Sequence, residues 1–305
     1  MKAGTIIKTL FLTGLAVQLA LAPVCSQDST GQPVPPSLNK AKLFATIGVE
    51  AAVIGAGAWY LDQVWYKSYQ RVPFHFHNDN RAYLQCDKAG HAFATYAESY
   101  ISYKLLRSAG VKKGPALLYG GTFGMIFQTP IEIFDGLYNW WGCSWGDLVA
   151  NTSGWLFFMG QELLLDDQVM KFKWSSSNSS NPVSADGEVP RDFLEKFLFD
   201  YNGHTYWLSM PINKIVTHSN IPPWLCVSAG YGANGLCGKM ENLPPYQDIP
   251  RYRQYLFSLD IDWTKIKTSS PFLKAVLNCM VFIKLPFPTL EFNSLGKVRG
   301  YWLYY

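Results

Sequence analysis

Four apolar segments, each about twenty residues long, most limit how this chain can fold, since that length matches both a long core helix and a membrane span. Short turns rich in Gly, Pro or Trp separate them, an arrangement typical of an antiparallel helical bundle. Only 16% of the residues are charged, against about 25% in soluble domains. The sequence therefore predicts a four-helix bundle, and both a membrane-embedded and a soluble bundle fit this pattern. Its segments are Leu43–Leu61, Lys88–Arg107, Gly114–Phe134 and Trp145–Leu165.

The N-terminus predicts export. Lys2 and Lys8 precede an apolar run over Thr9–Ala22, and a polar stretch follows. This is the layout of a secretory signal peptide, which we assign to residues 1–26. Lipidation at Cys25 is disfavoured, because the residues before it form a poor lipobox. We expect a Gram-negative bacterial protein of the periplasm or outer membrane, with a polar, Pro-rich leader over residues 27–40.

The second half of the chain has a different pattern. A Ser- and Asn-rich linker is predicted over residues 175–190, between a helical domain (41–174) and a β-rich module (191–305). In the segment from Gln254 to Trp263, apolar residues alternate with polar ones over most positions, as in an amphipathic strand. Weaker strand candidates are His204–Ile212, Trp224–Ala233, Val276–Leu285 and Val298–Tyr305. A closed transmembrane barrel needs at least about eight strands, so the prediction is an α+β chain with an antiparallel C-terminal module.

The few polar residues of the helical segments fall in stripes. Asp87, His91 and Glu98 follow one helical face, and Gln128 and Glu132 begin a second stripe. Buried unpaired charge is costly, so we expect the stripes to face each other. The predicted polar cluster consists of Asp87, Lys88, His91, Glu132, Asp135, Asp147 and Asn151.

Two interpretations of this polar cluster compete. The first is a buried ion-pair and hydrogen-bond network that fixes helix register. The second is a catalytic acid–base site, a divalent-metal site, or a pocket for a ligand or lipid headgroup, because His and carboxylates supply proton transfer and metal ligands. Upstream, His75 and His77 share one face of an extended segment, and with Asp79 they are the candidate metal ligands. A divalent metal is the one cofactor that the sequence suggests.

Several function classes find no support in the sequence. It contains no nucleophile elbow, P-loop, HExxH or dinucleotide-binding motif. The formal net charge is +4, and Lys2 and Lys8 lie in the predicted signal peptide. We therefore predict no nucleic-acid partner. The expected partners are membrane lipid or outer-membrane proteins.

The polar residues resemble a known family. The residues that carry the resemblance are Asp87-Lys88-Ala89-Gly90-His91, Glu132, Asp135, Ser144, Asp147, Asn151 and Gly154. On these residues, over about Phe74 to Leu165, the chain is similar to the YfiM-like family of predicted periplasmic or outer-membrane lipoproteins of unknown function, and more distantly to VanZ-like membrane proteins. The degraded lipobox at Cys25 departs from the pattern.

The resemblance implies a compartment and an architecture, and it supplies no reaction. The sequence thus favours a non-enzymatic envelope protein of the outer membrane, structural or part of an assembly. The alternative is a membrane-surface hydrolase or transferase that acts on an envelope lipid or glycan through the His and carboxylate residues.

Overall fold

A computed structural model describes residues 37–185, 189, 196–197, 200–216 and 220–304. The predicted signal peptide, most of the predicted leader and part of the predicted linker lie outside the described residues. The protein is a mixture of helices and sheet with an antiparallel C-terminal sheet, which confirms that part of the prediction. The four-helix N-terminal bundle is not confirmed.

The chain forms two compact units, which we call the helical unit and the sheet unit. Within the described residues, the helical unit comprises residues 37–78, Ala94–Leu164 and Thr268–Cys279. The sheet unit comprises Asp79–Phe93, the described residues of Leu165–Lys267, and residues 280–304.

The secondary-structure elements are numbered in chain order. The helices are α1 (Lys40–Tyr60), α2 (Cys86–Ser108), α3 (Lys113–Tyr119), α4 (Phe123–Asp135), α5 (Trp145–Leu164), α6 (Ile212–Ile215) and α7 (Pro271–Cys279). The strands are β1 (Phe76–His77), β2 (Cys143–Ser144), β3 (Lys171–Ser176), β4 (His204–Pro211), β5 (Leu225–Asn234), β6 (Tyr252–Ile261), β7 (Phe287–Asn293) and β8 (Val298–Tyr304).

Helix α1 differs from the other helices in its surface. Its first turn is capped by Asn39, whose Oδ1 accepts the backbone N–H of Lys42 at 3.0 Å. Within the described residues, the stretch Lys40–Gln63 is the one helix long and apolar enough to cross a membrane, by length and composition, and little of it is buried. The other three predicted segments do not meet that criterion.

The segment predicted as one helix over Gly114–Phe134 is two helices, α3 and α4. They are separated at Gly120 and Gly121, where the absence of a side chain permits close packing. A Cβ on Gly120 would lie 2.7 Å from the backbone nitrogen of Tyr103, and one on Gly121 would lie 2.8 Å from the sulfur of Met159. Glycine is also a weak helix former, so the break is both local and tertiary in origin.

The core of the helical unit is aromatic. The ring of Tyr96 lies 5.4 Å from that of Phe157, and the ring of Tyr103 lies 5.6 Å from that of Phe158. Tyr96 and Phe158 are fully buried. These contacts pack α2 against α5, and they position the polar residues that share those helices.

The sheet unit contains a six-stranded antiparallel sheet in the order β3-β4-β5-β6-β7-β8. Each strand pairs with its neighbour in the chain, so the sheet is a simple meander. In the centre, Phe257 of β6 lies opposite Ala229 of β5 and Leu290 of β7.

One predicted strand is wrong, and two strands of the six-stranded sheet were not predicted. The stretch Val276–Leu285 contains the end of α7 and a 3₁₀ turn, because Pro271 starts a helix and the apolar residues Phe272, Ala275 and Val276 follow helical spacing. Strand β7 has Pro286 before it and Pro288 inside it, which hide its alternation. Strand β3 overlaps the start of the predicted linker.

Candidate functional site

The predicted polar cluster is distributed over both units. Asp79, Asp87, Lys88 and His91 belong to the sheet unit, whereas His75, His77, Glu132, Asp135, Asp147 and Asn151 belong to the helical unit. Helix α2 carries Asp87, Lys88 and His91 in its first turns, and continues into the helical unit at Ala94.

Lys88 joins two of the predicted residues in the sheet unit. Its Nζ lies 2.7 Å from Oδ1 of Asp79 and 3.0 Å from Oδ2 of Asp87. All three side chains are about nine-tenths buried. One ammonium group therefore compensates two buried carboxylates, as a buried structural ion pair requires.

A left-handed turn positions this ion-pair group. Three successive residues before α2, Tyr83, Leu84 and Gln85, have φ of 47°, 51° and 68°. Such conformations are unfavourable for residues with a side chain and persist only when contacts hold them. The hydroxyl of Tyr231 donates to the Leu84 carbonyl, and Arg253 donates to Oε1 of Gln85 at 2.7 Å. Strands β5 and β6 thus fix the entry into α2.

In the helical unit, Glu132, Ser144 and Asp147 form a connected group. The backbone N–H of Ser144 donates to Oε2 of Glu132 at 3.4 Å, and the hydroxyl oxygen of Ser144 accepts the backbone N–H of Asp147 at 3.1 Å. Ser144 therefore caps the N-terminus of α5. The cap fixes the position of Asp147 in the first turn of that helix.

Two further hydrogen bonds link helices of the helical unit, and each includes a residue of the predicted polar stripes or cluster. Thr95 Oγ1 donates to Oδ1 of Asn151 at 3.1 Å, which links α2 to α5. Gln128 Nε2 donates to Oε1 of Glu98 at 2.7 Å, which links α4 to α2. Burial raises the pKa of Glu98 to about 8, and the hydrogen bond from Gln128 offsets part of that shift.

Asp135 and the candidate histidines have other surroundings. The hydroxyl of Tyr66 donates to Oδ1 of Asp135. Burial, and then the charge of Asp135, raise the pKa of Tyr66, so the phenol keeps its proton. The backbone N–H of His75 donates to the carbonyl of Gly136 at 2.9 Å, and His77 pairs with Ser144 in the short β1–β2 sheet. Asp79, the third candidate metal ligand, is the partner of Lys88.

The sequence did not predict the polar interior of the C-terminal sheet. Lys173 Nζ lies 2.9 Å from Oδ2 of Asp260, with the two side chains 0% and 1% exposed. On the same face, Oε2 of Glu291 accepts hydrogen bonds from Gln254 at 2.9 Å and Tyr301 at 2.8 Å. The signal was present in the alternation of Lys171 and Lys173 with Phe172 and Trp174, but alternation alone does not say which set faces inward.

The opposite face of the sheet is apolar and exposed. The most exposed side chains include Phe257, at 56%, and Trp302, at 89%. Other exposed apolar residues at outward positions of β4 to β8 are Leu208, Val227, Tyr255, Leu259, Leu290, Phe292 and Val298. The sheet therefore buries its polar face and exposes its apolar one.

Comparisons with known proteins found no match for this chain among family models, curated proteins or solved structures.

Proposed function

We propose that this chain is a non-enzymatic, membrane-integrated protein of the Gram-negative cell envelope, a structural component or part of an assembly. In this proposal, a signal peptide exports the protein, and the mature protein is located in the outer membrane. The resemblance to the YfiM-like family then reflects homology. The observation that carries the proposal is the inverted polarity of the C-terminal sheet.

The inverted sheet is unfavourable in water and favourable against lipid. An antiparallel sheet with one face in water normally turns its polar residues outward. Here Lys173, Asp260 and Glu291 are buried, while Phe257 and Phe292 are exposed. Transfer of one large apolar side chain out of water is favourable by about 1.5–3 kcal/mol of free energy. Apolar-out and polar-in alternation is typical of strands whose outer face contacts acyl chains.

Helix α1 supports the same proposal independently. Its 21 residues correspond to about 31 Å, the thickness of a bilayer's hydrocarbon core. Phe44, Ile47 and Trp59 are exposed along it. Lys40 and Lys42 stand at its N-terminal end, where charged groups reach the water boundary.

Contacts within the helical unit support a structural role for the polar residues. Gly57 of α1 meets the Phe127 ring, since a Cβ there would lie 3.1 Å from it. Ser102 of α2 donates to Oε1 of Glu50 at 2.5 Å. A Cβ on Gly124 of α4 would lie 2.2 Å from the Thr95 carbonyl oxygen. In our proposal these contacts, with the Thr95–Asn151 bond, hold the four predicted segments as a bundle.

The experiment tests whether lipid covers the outer face of the sheet. Phe257→Cys is labelled with an environment-sensitive fluorophore in the full-length protein, reconstituted in vesicles that contain brominated acyl chains. We expect a blue-shifted emission that the bromine quenches. Leu243→Cys, at an exposed position beside Pro244 and Pro245, is the matched control, and the parent protein measures labelling of native cysteines.

Two results would overturn the proposal. One is equal quenching at positions 257 and 243, or none at either. The other is release of the wild-type protein from isolated membranes by carbonate, because an integral protein stays until detergent is added.

A further inference from the structure

A small pocket lies at the C-terminal end of α1, wholly within the helical unit. Its volume is about 250 Å³. It is lined by Ala58, Leu61, Asp62, Tyr66, Arg71, Phe134 and Tyr138.

The pocket has a rigid aromatic floor. The rings of Tyr66 and Tyr138 are stacked, with centroids 4.2 Å apart and planes 4° from parallel. The Tyr66 hydroxyl donates to Asp135, which fixes the ring's orientation. The backbone of Arg71 bridges to that of Tyr138, so the residue that carries the guanidinium is tied to the floor. A preformed pocket loses little entropy when it binds a ligand.

The rim of the pocket carries one group of each charge. Among the described residues, the Arg71 guanidinium makes no hydrogen bond or ion pair, so it can receive an anion. The Asp62 carboxylate accepts a hydrogen bond from its neighbour Gln63 at 2.6 Å, and it forms no ion pair with a described cation. Leu61 and Phe134 add an apolar wall. This combination suits an amphipathic ligand that carries a phosphate and an amine.

Aromatic pairs surround this end of the helix. Trp65 stacks on Trp141 at 5.3 Å, and Tyr69 stacks on Trp140 at 6.1 Å. Trp and Tyr are enriched where a membrane protein crosses the headgroup layer. If α1 spans the bilayer, the pocket opens at headgroup depth.

We propose that this pocket binds the headgroup of an amine-bearing glycerophospholipid, with the phosphate on Arg71 and the ammonium on Asp62. The acyl chains continue along the wall formed by Leu61 and Phe134. This inference rests on the proposed function, since it requires that α1 lies in a membrane.

The experiment uses the full-length protein in detergent with phosphatidylethanolamine, phosphatidylglycerol or soluble phosphoethanolamine, and measures bound ligand by native mass spectrometry. Arg71→Gln is expected to weaken binding of both lipids by about tenfold, the effect of losing one charge-assisted hydrogen bond. Asp62→Asn is expected to remove the preference for phosphatidylethanolamine over phosphatidylglycerol. The matched control is Lys67→Gln, which removes a cation from the same segment between α1 and β1 as Arg71. Lys67 does not line the pocket, so this variant should bind lipid as the wild type does.

The outcomes separate this inference from the proposed function. Flotation of the wild-type protein with phosphatidylethanolamine vesicles tests membrane binding alone, and its failure would overturn both. Flotation with unchanged lipid binding in Arg71→Gln, in protein whose circular dichroism matches the wild type, would overturn the headgroup site only. Soluble phosphoethanolamine bound as tightly as the lipid would show that a free phosphoamine, and not a lipid, is the ligand.

Discussion

The helical unit and the sheet unit both bury carboxylates, and Glu98 of the helical unit has a different kind of partner from Asp260 and Asp79 of the sheet unit. In the helical unit, Glu98 accepts its hydrogen bond from the neutral amide of Gln128. In the sheet unit, Asp260 faces the ammonium of Lys173, and Asp79 faces that of Lys88. A neutral partner lets burial hold the proton on Glu98, whereas a lysine compensates the charge of a buried carboxylate.

This difference shows how each unit tolerates a polar interior. A protonated carboxyl group is neutral, as an amide is. Burying it between helices therefore has a small electrostatic cost. A buried ion pair is tolerable only while both charges are present. The Lys173–Asp260 pair should therefore be sensitive to the loss of one partner, and Glu98 should make the stability of the helical unit depend on pH.

The largest effect is expected when one partner is removed inside the sheet. Lys173→Met leaves Asp260 buried without its cation and should lower the free energy of unfolding by about 3–5 kcal/mol. Denaturant titration of the protein in detergent measures it. Lys265→Met is the matched control, because the Lys265–Asp167 pair has a similar distance of 2.8 Å but is 37% and 44% exposed. A loss of less than about 1 kcal/mol is expected there.

Equal losses in Lys173→Met and Lys265→Met would contradict the comparison. They would mean that water reaches the sheet interior and that its ion pairs are solvated.

A smaller effect is expected from crowding the same interior. A Cβ on Gly230 of β5 would lie 2.6 Å from the indole of Trp207, which is fully buried and donates to Ser175 Oγ at 3.0 Å. Because that bond holds the ring in place, Gly230→Ala should destabilise the protein by about 1–3 kcal/mol.

Gly300→Ala in β8 is the control, since nothing lies within 4 Å of a Cβ there. It should be neutral or stabilise the protein by up to about 1 kcal/mol. Thermal unfolding of both variants in one detergent measures the difference, and a Gly230→Ala protein as stable as the wild type would show that the interior has room to spare.

The sequence predicted parts of this molecule for physical reasons. Helical spacing identified the polar stripes, and period-two alternation identified β6. It did not say which face of β6 is buried, because alternation is symmetric and the environment decides. It also did not predict that Gln128 bonds Glu98 or that Lys173 bonds Asp260, since these partners lie far apart in the chain and only the tertiary fold joins them.

At mildly acidic pH, Glu98→Gln should change the free energy of unfolding less than the other substitutions do. Its dependence on pH is the sharpest test of the helical unit. Burial raises the pKa of Glu98 from its ordinary value of 4.5 to about 8. Between these values the unfolded chain releases a proton that the folded chain retains, so the wild-type free energy of unfolding should fall as pH rises, and then level off above about pH 8. Gln imitates the protonated acid, so the variant should match the wild type near pH 4.5, lose this part of the pH dependence, and be the more stable protein at pH 8. Parallel stability–pH curves for the two proteins would mean that Glu98 is charged in the folded state, and the contrast with the ion-paired sheet would then disappear.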